Sequence, residues 1–205
     1  VFVPPCGLFS FQDVIFNNKT DLFAKWNKFY SDFHKRYYIT SVIVHVKREG
    51  RYNCDFVLDD ILAAMHYIGG DKKIGENFKR CLTNYGTDLI VEKIALALFG
   101  QKEVKKVKQS KGPMCVRDKL EDKIKDKLAG PIRNIRAHAS KKNLKKDIRK
   151  SKQKAIQNGL IDYLLMVVEY YCYKSIGIAD VKIKEVLDNR VKLIAKVKTK
   201  GVLGF

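Results

Sequence analysis

A chain of 205 residues, 46% hydrophobic and 11% aromatic, carries enough apolar material for one sizeable core or two small domains and is not a disordered polypeptide. Its net charge of +19 and isoelectric point near 9.7 point to a polyanionic partner. An anionic membrane surface competes for that charge, but the richest apolar runs, 94–99 and 164–168, fall far short of the roughly 18 to 20 residues a span requires. No membrane association is therefore expected.

The chain opens Val1-Phe2-Val3-Pro4-Pro5, with neither a methionine nor a basic-then-apolar leader. No signal peptide is expected, and 1–20 reads as an extension or the remnant of a preceding domain. From 21 to 38, Leu22, Trp26, Phe29, Phe33 and Tyr37 recur at the three-and-four spacing of an amphipathic helix. The β-branched stretch 39–46 suits helix or a short strand; helix is preferred, because no hairpin turn follows. Phe56, Leu58, Ile61, Leu62 and Met65 predict a helix over 56–68, ended by Gly69-Gly70. Asp59-Asp60 within it reads as a helix start complementing the dipole, in preference to a paired-carboxylate site. Two more helices are expected over 76–84 and 87–99, the second stopped by Gly100.

Composition then changes. Residues 101–154 hold twenty Lys/Arg against six Asp/Glu, which is +14 of the net +19. The basic run 101–113 reads as an exposed loop, and Val116, Leu120, Ile124 and Leu128 mark a helix leading into Gly130-Pro131. A loop over 140–143 precedes a long helix from 152 to 175, apolar almost all round over 160–173 and so expected at the centre of the fold. Tyr163, Tyr170, Tyr171 and Tyr173 are better placed for core packing than for base stacking. The tail 181–205 could be helix or a strand pair. The expected class is mostly α: an antiparallel helical bundle, with one domain over 21–178 and a tail over 179–205.

Five scattered cysteines, odd in number and never in a C-x-x-C pair, fit a reducing, cytoplasmic compartment. His34, His45 and His66 match no zinc spacing, so neither a metal nor another cofactor is expected.

The densest chemistry is Arg133-Asn134-Ile135-Arg136-Ala137-His138, directly after Gly130-Pro131-Ile132. Pro131 fits the first position of a helix, whose free N–H groups and dipole would favour an anion. Arg133 offers a forked cation suited to phosphate, and His138 can take and give a proton near neutral pH. Two basic clusters flank this stretch: Lys102, Lys105, Lys106, Lys108 and Lys111 before it; Lys141, Lys142, Lys145, Lys146, Arg149 and Lys150 after it. Each is either an RNA-backbone cradle or solvated charge. A surface made only for solubility would mix signs, which favours the cradle for the second cluster and leaves the first open.

Arg133, Asn134 and His138 resemble the R-x4-H signature of the HEPN superfamily, in the variant with a polar residue after the arginine. Within it the chain is most similar to ribonucleases of abortive-infection and related antiviral defence. The resemblance implies a toxin-like endoribonuclease that works without a metal: the RNA 2′-OH attacks, leaving a 2′,3′-cyclic phosphate and a 5′-OH. It implies His138 as general acid or base, Arg133 as stabiliser of charge on the phosphate, and Asn134 as the residue orienting His138. Arg136 has no family role; it either binds an adjacent phosphate or is a solvated charge. Such nucleases pair two motifs across a homodimer, for which the apolar residues Ile132, Ile135 and Ala139 are candidate interface residues or else core. A sensor domain or regulatory partner outside this chain is compatible with that role. Ser140 stands where one branch carries a tyrosine that is modified to silence the toxin, so that control is not expected. The alternatives are a non-catalytic nucleic-acid-binding or regulatory subunit of the same fold and, less favoured, a membrane-surface or scaffold protein using only its charge.

Overall fold

Apolar spacings of three and four residues become helices wherever the chain is described. The computed structural model describes residues 24–25, 27–29, 31, 54–110, 112, 114–132 and 142–199, and among these it is all-α, with no strand. The chain divides into two compact units, 53–168 and 1–52 with 169–205, a division that runs through the 21–178 stretch.

In the 53–168 unit, α1 (Cys54–Gly69) buries Val57, Leu58, Ile61, Leu62 and Met65. It meets α2 (Ile74–Tyr85) so closely at its end that a Cβ on Gly69 would lie 2.2 Å from the Asn77 carbonyl oxygen. Only glycine fits there. Asn77, itself fully buried, closes the intervening loop: its side-chain oxygen accepts from the Lys72 N–H at 3.1 Å, and its amide meets His66 Nδ1 at 2.8 Å. Asp59 and Asp60 sit in the second turn of α1, not at its start, so the expected dipole role does not hold.

Thr87 caps the next helix, α3 (Asp88–Gln109), by accepting the Ile90 N–H. Gly100 interrupts it with φ 78° and ψ 169°, as its position in the sequence predicted. The expected loop beyond it is not there: helix resumes from 101 to 109. A straight helix would hold residues 92 and 108 about 24 Å apart, yet Lys108 Nζ lies 2.7 Å from Glu92 Oε2. The two arms therefore bend sharply back at Gly100. Val104 and Val107, three apart on the second arm, are buried, which is why a lysine-rich segment folds at all.

Helix α4 (Val116–Lys127) packs on α2 and α3 through Leu120 and Ile124. It runs straight into a π turn, Leu128–Ile132. Residues four apart drift around an α-helix of 3.6 residues per turn. The wider π turn, with its i→i+5 bonds, brings Ile132 back to the buried side with Leu128. Pro131, which lacks an N–H to donate, is accommodated within that turn. It is not the first residue of a new helix, and the expected helix start at Gly130-Pro131 is corrected accordingly. Ile132 is a core residue and is unavailable to a subunit interface.

Helix α5 (Lys142–Gln157) takes in part of the expected 140–143 loop, and Asn158-Gly159 separates it from α6 (Leu160–Ser175). The single helix expected over 152–175 is thus two. From Leu160 to Val168 every residue but Asp162 is buried, as a central helix requires.

In the other unit, the remainder of α6 joins α7 (Asp180–Thr199), which buries Ile183, Leu187 and Val191 at intervals of four. As far as Thr199 the tail is helix, not strands. The buried Glu169 carboxylate pairs with Arg190. Tyr170 and Tyr173 are core residues, and Tyr171 meets Phe29 edge-on with ring centroids 6.0 Å apart. Tyr163 is likewise buried, in the first unit. Packing, not base stacking, is what these tyrosines do.

Candidate nucleic-acid interface

Arg133, Asn134, Arg136, His138 and Lys141 lie outside the described residues, as do Ile135, Ala139 and Lys111. What the fold does place is the frame around them. The chain leaves the π turn at Ile132 and re-enters at Lys142 on α5, and these two elements pack against each other. The nine residues between are anchored at both ends in one unit.

Along α5, positions 142, 145, 146, 149 and 150 share one side of the helix by the 3.6-residue repeat; Lys152, seven residues beyond 145, lies at the edge of that side, and Ala155 lies nearly opposite it. Arg149 and Lys150 are exposed, whereas Lys152 and Ala155 are buried. α5 thus exposes Arg149 and Lys150 and docks on the unit through Lys152 and Ala155.

Lys152 was not legible in sequence as anything but another basic residue. Its side chain is only 6% exposed, and its ammonium lies 3.8 Å from the Asp59 carboxylate of α1. A buried lysine with a carboxylate opposite is the arrangement that desolvation demands. Burial, and then the charge of Asp59, push the neighbouring Asp60 carboxyl up from its ordinary value. Asp59 is thus the carboxylate that faces Lys152 of α5.

Among the described residues, the remaining titratable groups offer no competing centre. Burial pushes the Cys81 and Cys172 thiols up, away from nucleophilic character. Cys115, exposed and free, caps α4 by accepting the Asp118 N–H at 3.4 Å. Among the described residues there is no group of three or more His, Cys, Asp or Glu able to hold a metal ion, and no helix long and apolar enough to cross a membrane.

Protein-family models, curated proteins and solved structures were all compared with this chain. None matches. The functional reading therefore rests on the residues and the frame that holds them.

Proposed function

We propose that the protein is an RNA endonuclease of HEPN type that works without a metal ion, a toxin-like effector suited to antiviral defence. The observation that carries this reading is positional. The Arg133/Asn134/His138 segment connects two elements that pack together, and the second is α5, with Arg149 and Lys150 exposed on its basic side. RNA backbone held by Lys141, Lys142, Lys145, Lys146, Arg149 and Lys150, with Arg136 on a neighbouring phosphate, would bring a phosphodiester to Arg133 and His138.

The chemistry balances within the RNA itself. The 2′-oxygen forms a bond to phosphorus as the P–O5′ bond breaks; a base takes the 2′-OH proton and an acid protonates the departing 5′-oxygen. His138 performs such a transfer, Asn134 orients it, and Arg133 stabilises the charge on the phosphoryl oxygens.

Sequencing the RNA ends made on expression of the wild type and of His138→Ala tests this directly. The wild type should leave 2′,3′-cyclic phosphate and 5′-OH ends, in EDTA as well as without it. Arg133→Ala and His138→Ala should each lose about 10² to 10⁴ in rate. A 2′-deoxy nucleotide 5′ of the scissile phosphate should block cutting. RNA binding without cutting by the wild type would instead favour a non-catalytic subunit of the same fold. Loss of cutting in EDTA would point to a metal-dependent nuclease.

A further inference from the structure

The second arm of α3, residues 101–109, turns Val104 and Val107 inward and leaves Lys102, Lys105 and Lys106 exposed. Those three lysines stand at i, i+3 and i+4, so they occupy one side of the arm. Lys108 is tied back to Glu92 across the bend. The arm packs on α4, which adds Lys123, also exposed.

One carboxylate stands among them. Glu103 receives Lys106 at 2.7 Å, and its carboxyl is held below the ordinary range first by Lys106, with Lys123 and Lys102 adding to the effect. Lys102, Lys105 and Lys123 form no ion pair within 4 Å among the described residues. The contrast lies on the same helix. Where α4 faces α2, Asp122 accepts Lys79 at 2.8 Å and Lys125 at 3.2 Å, and Lys125 also reaches Glu76 at 2.7 Å, two lysines to two carboxylates. On that side each lysine is paired; on the other, of four lysines only Lys106 is in an ion pair within 4 Å, with Glu103. A surface made only for solubility would intersperse the signs on both.

We propose that the outer side of the 101–109 arm, completed by Lys123 of α4, is a docking track for the phosphate backbone of single-stranded RNA beyond the nucleotides being cut. It rests on the reading of this protein as RNA-directed and adds a second contact surface to α5. The track carries no base-edge readout, so it sets affinity and footprint and leaves sequence choice to other residues.

The test uses the full chain and a fluorescein-labelled 30-nucleotide 2′-O-methyl oligouridylate, which lacks the 2′-OH nucleophile and stays uncut, with anisotropy followed across a salt series. Each phosphate contact contributes about −0.7 to the log–log slope on a single strand. The variant Lys102→Gln/Lys105→Gln/Lys106→Gln/Lys123→Gln should therefore flatten the slope by about 2 to 3. Glu103→Gln, which removes the one opposing charge, should tighten binding at low salt. Both variants should melt with the wild type, since all five side chains reach solvent. Wild-type binding with a slope that the quadruple variant leaves unchanged would overturn the track while leaving the proposed function standing. A wild type that neither binds nor cuts RNA at low salt would overturn both. Capture by phosphatidylserine vesicles through these lysines, with no RNA binding, would do the same.

Discussion

Arg117 ties the end of α2 and the start of α3 to α4. Its Nε donates to Glu121 at 2.8 Å, one terminal nitrogen pairs with Asp88, and the other donates to the carbonyls of Leu82, Thr83 and Gly86 at the end of α2. A guanidinium supplies five donors in a fixed fork, and a cation at a helix C-terminus meets the negative end of its dipole. Burial works against the charge, but Glu121 and Asp88 outweigh it and raise the guanidinium's already high pKa. Glu121 is 1% exposed and also accepts the Thr83 hydroxyl at 2.6 Å. Arg117→Ala would strand that carboxylate, and a loss of about 3 kcal/mol is expected in urea unfolding. Removing both charges in Arg117→Ala/Glu121→Ala should recover part of it; an additive double variant would show that the pair is not what holds the junction. The i,i+4 spacing of Arg117 and Glu121 was visible in the sequence. The reach to Asp88 and to three carbonyls some thirty residues away was not, because it depends on where α2 ends.

Among the elements, those with clean three-and-four spacing were legible: α1, α2, the first arm of α3, α4 and the buried α6. The misreadings share a cause. Over 101–109, lysines outnumber the two valines that hold the arm in place, so the charge pattern hid the apolar one. Between α5 and α6, both flanks favour helix, and their pattern conceals the break at Asn158-Gly159. At Gly130-Pro131 the local signals say stop and start, but the stripe from Leu120 to Ile132 keeps the chain in its core through a π turn. Gly100 gives the sharpest test at this scale. Its φ of 78° and ψ of 169° lie in a region essentially closed to other residues, and a Cβ there would meet nothing within 4 Å. Gly100→Ala should therefore cost backbone strain alone, about 1 to 3 kcal/mol by urea unfolding. A stabilised variant would mean that the two arms do not fold back, since alanine would then simply improve a straight helix.

For the whole molecule, the proposed chemistry sets a requirement that one chain meets poorly. In-line cleavage needs one group to accept the 2′-OH proton and another to protonate the 5′-oxygen, and the single R-x4-H segment brings one histidine. The sequence made the motif and the basic side of α5 legible; it did not make legible which apolar residues remain for a partner, because burial is decided only in the fold. Ile132 belongs to the core, which leaves Ile135 and Ala139 of the original candidates. A second copy supplying its own His138 would complete the proposed site, and the two-fold interface would be isologous, each subunit offering the same patch. The protein should therefore scatter light as a dimer at micromolar concentration and lose cleavage on dilution below its dissociation constant. Mixing wild type with an excess of His138→Ala chains separates a shared site from two independent ones. Independent sites would lose activity only in proportion to the wild-type chains present. A shared site needing both histidines would fall with the square of the wild-type fraction, so one wild-type chain in four would leave roughly a sixteenth of the activity per total chain. A fully active monomer would rule out the shared site and require a second proton-transfer group within one chain.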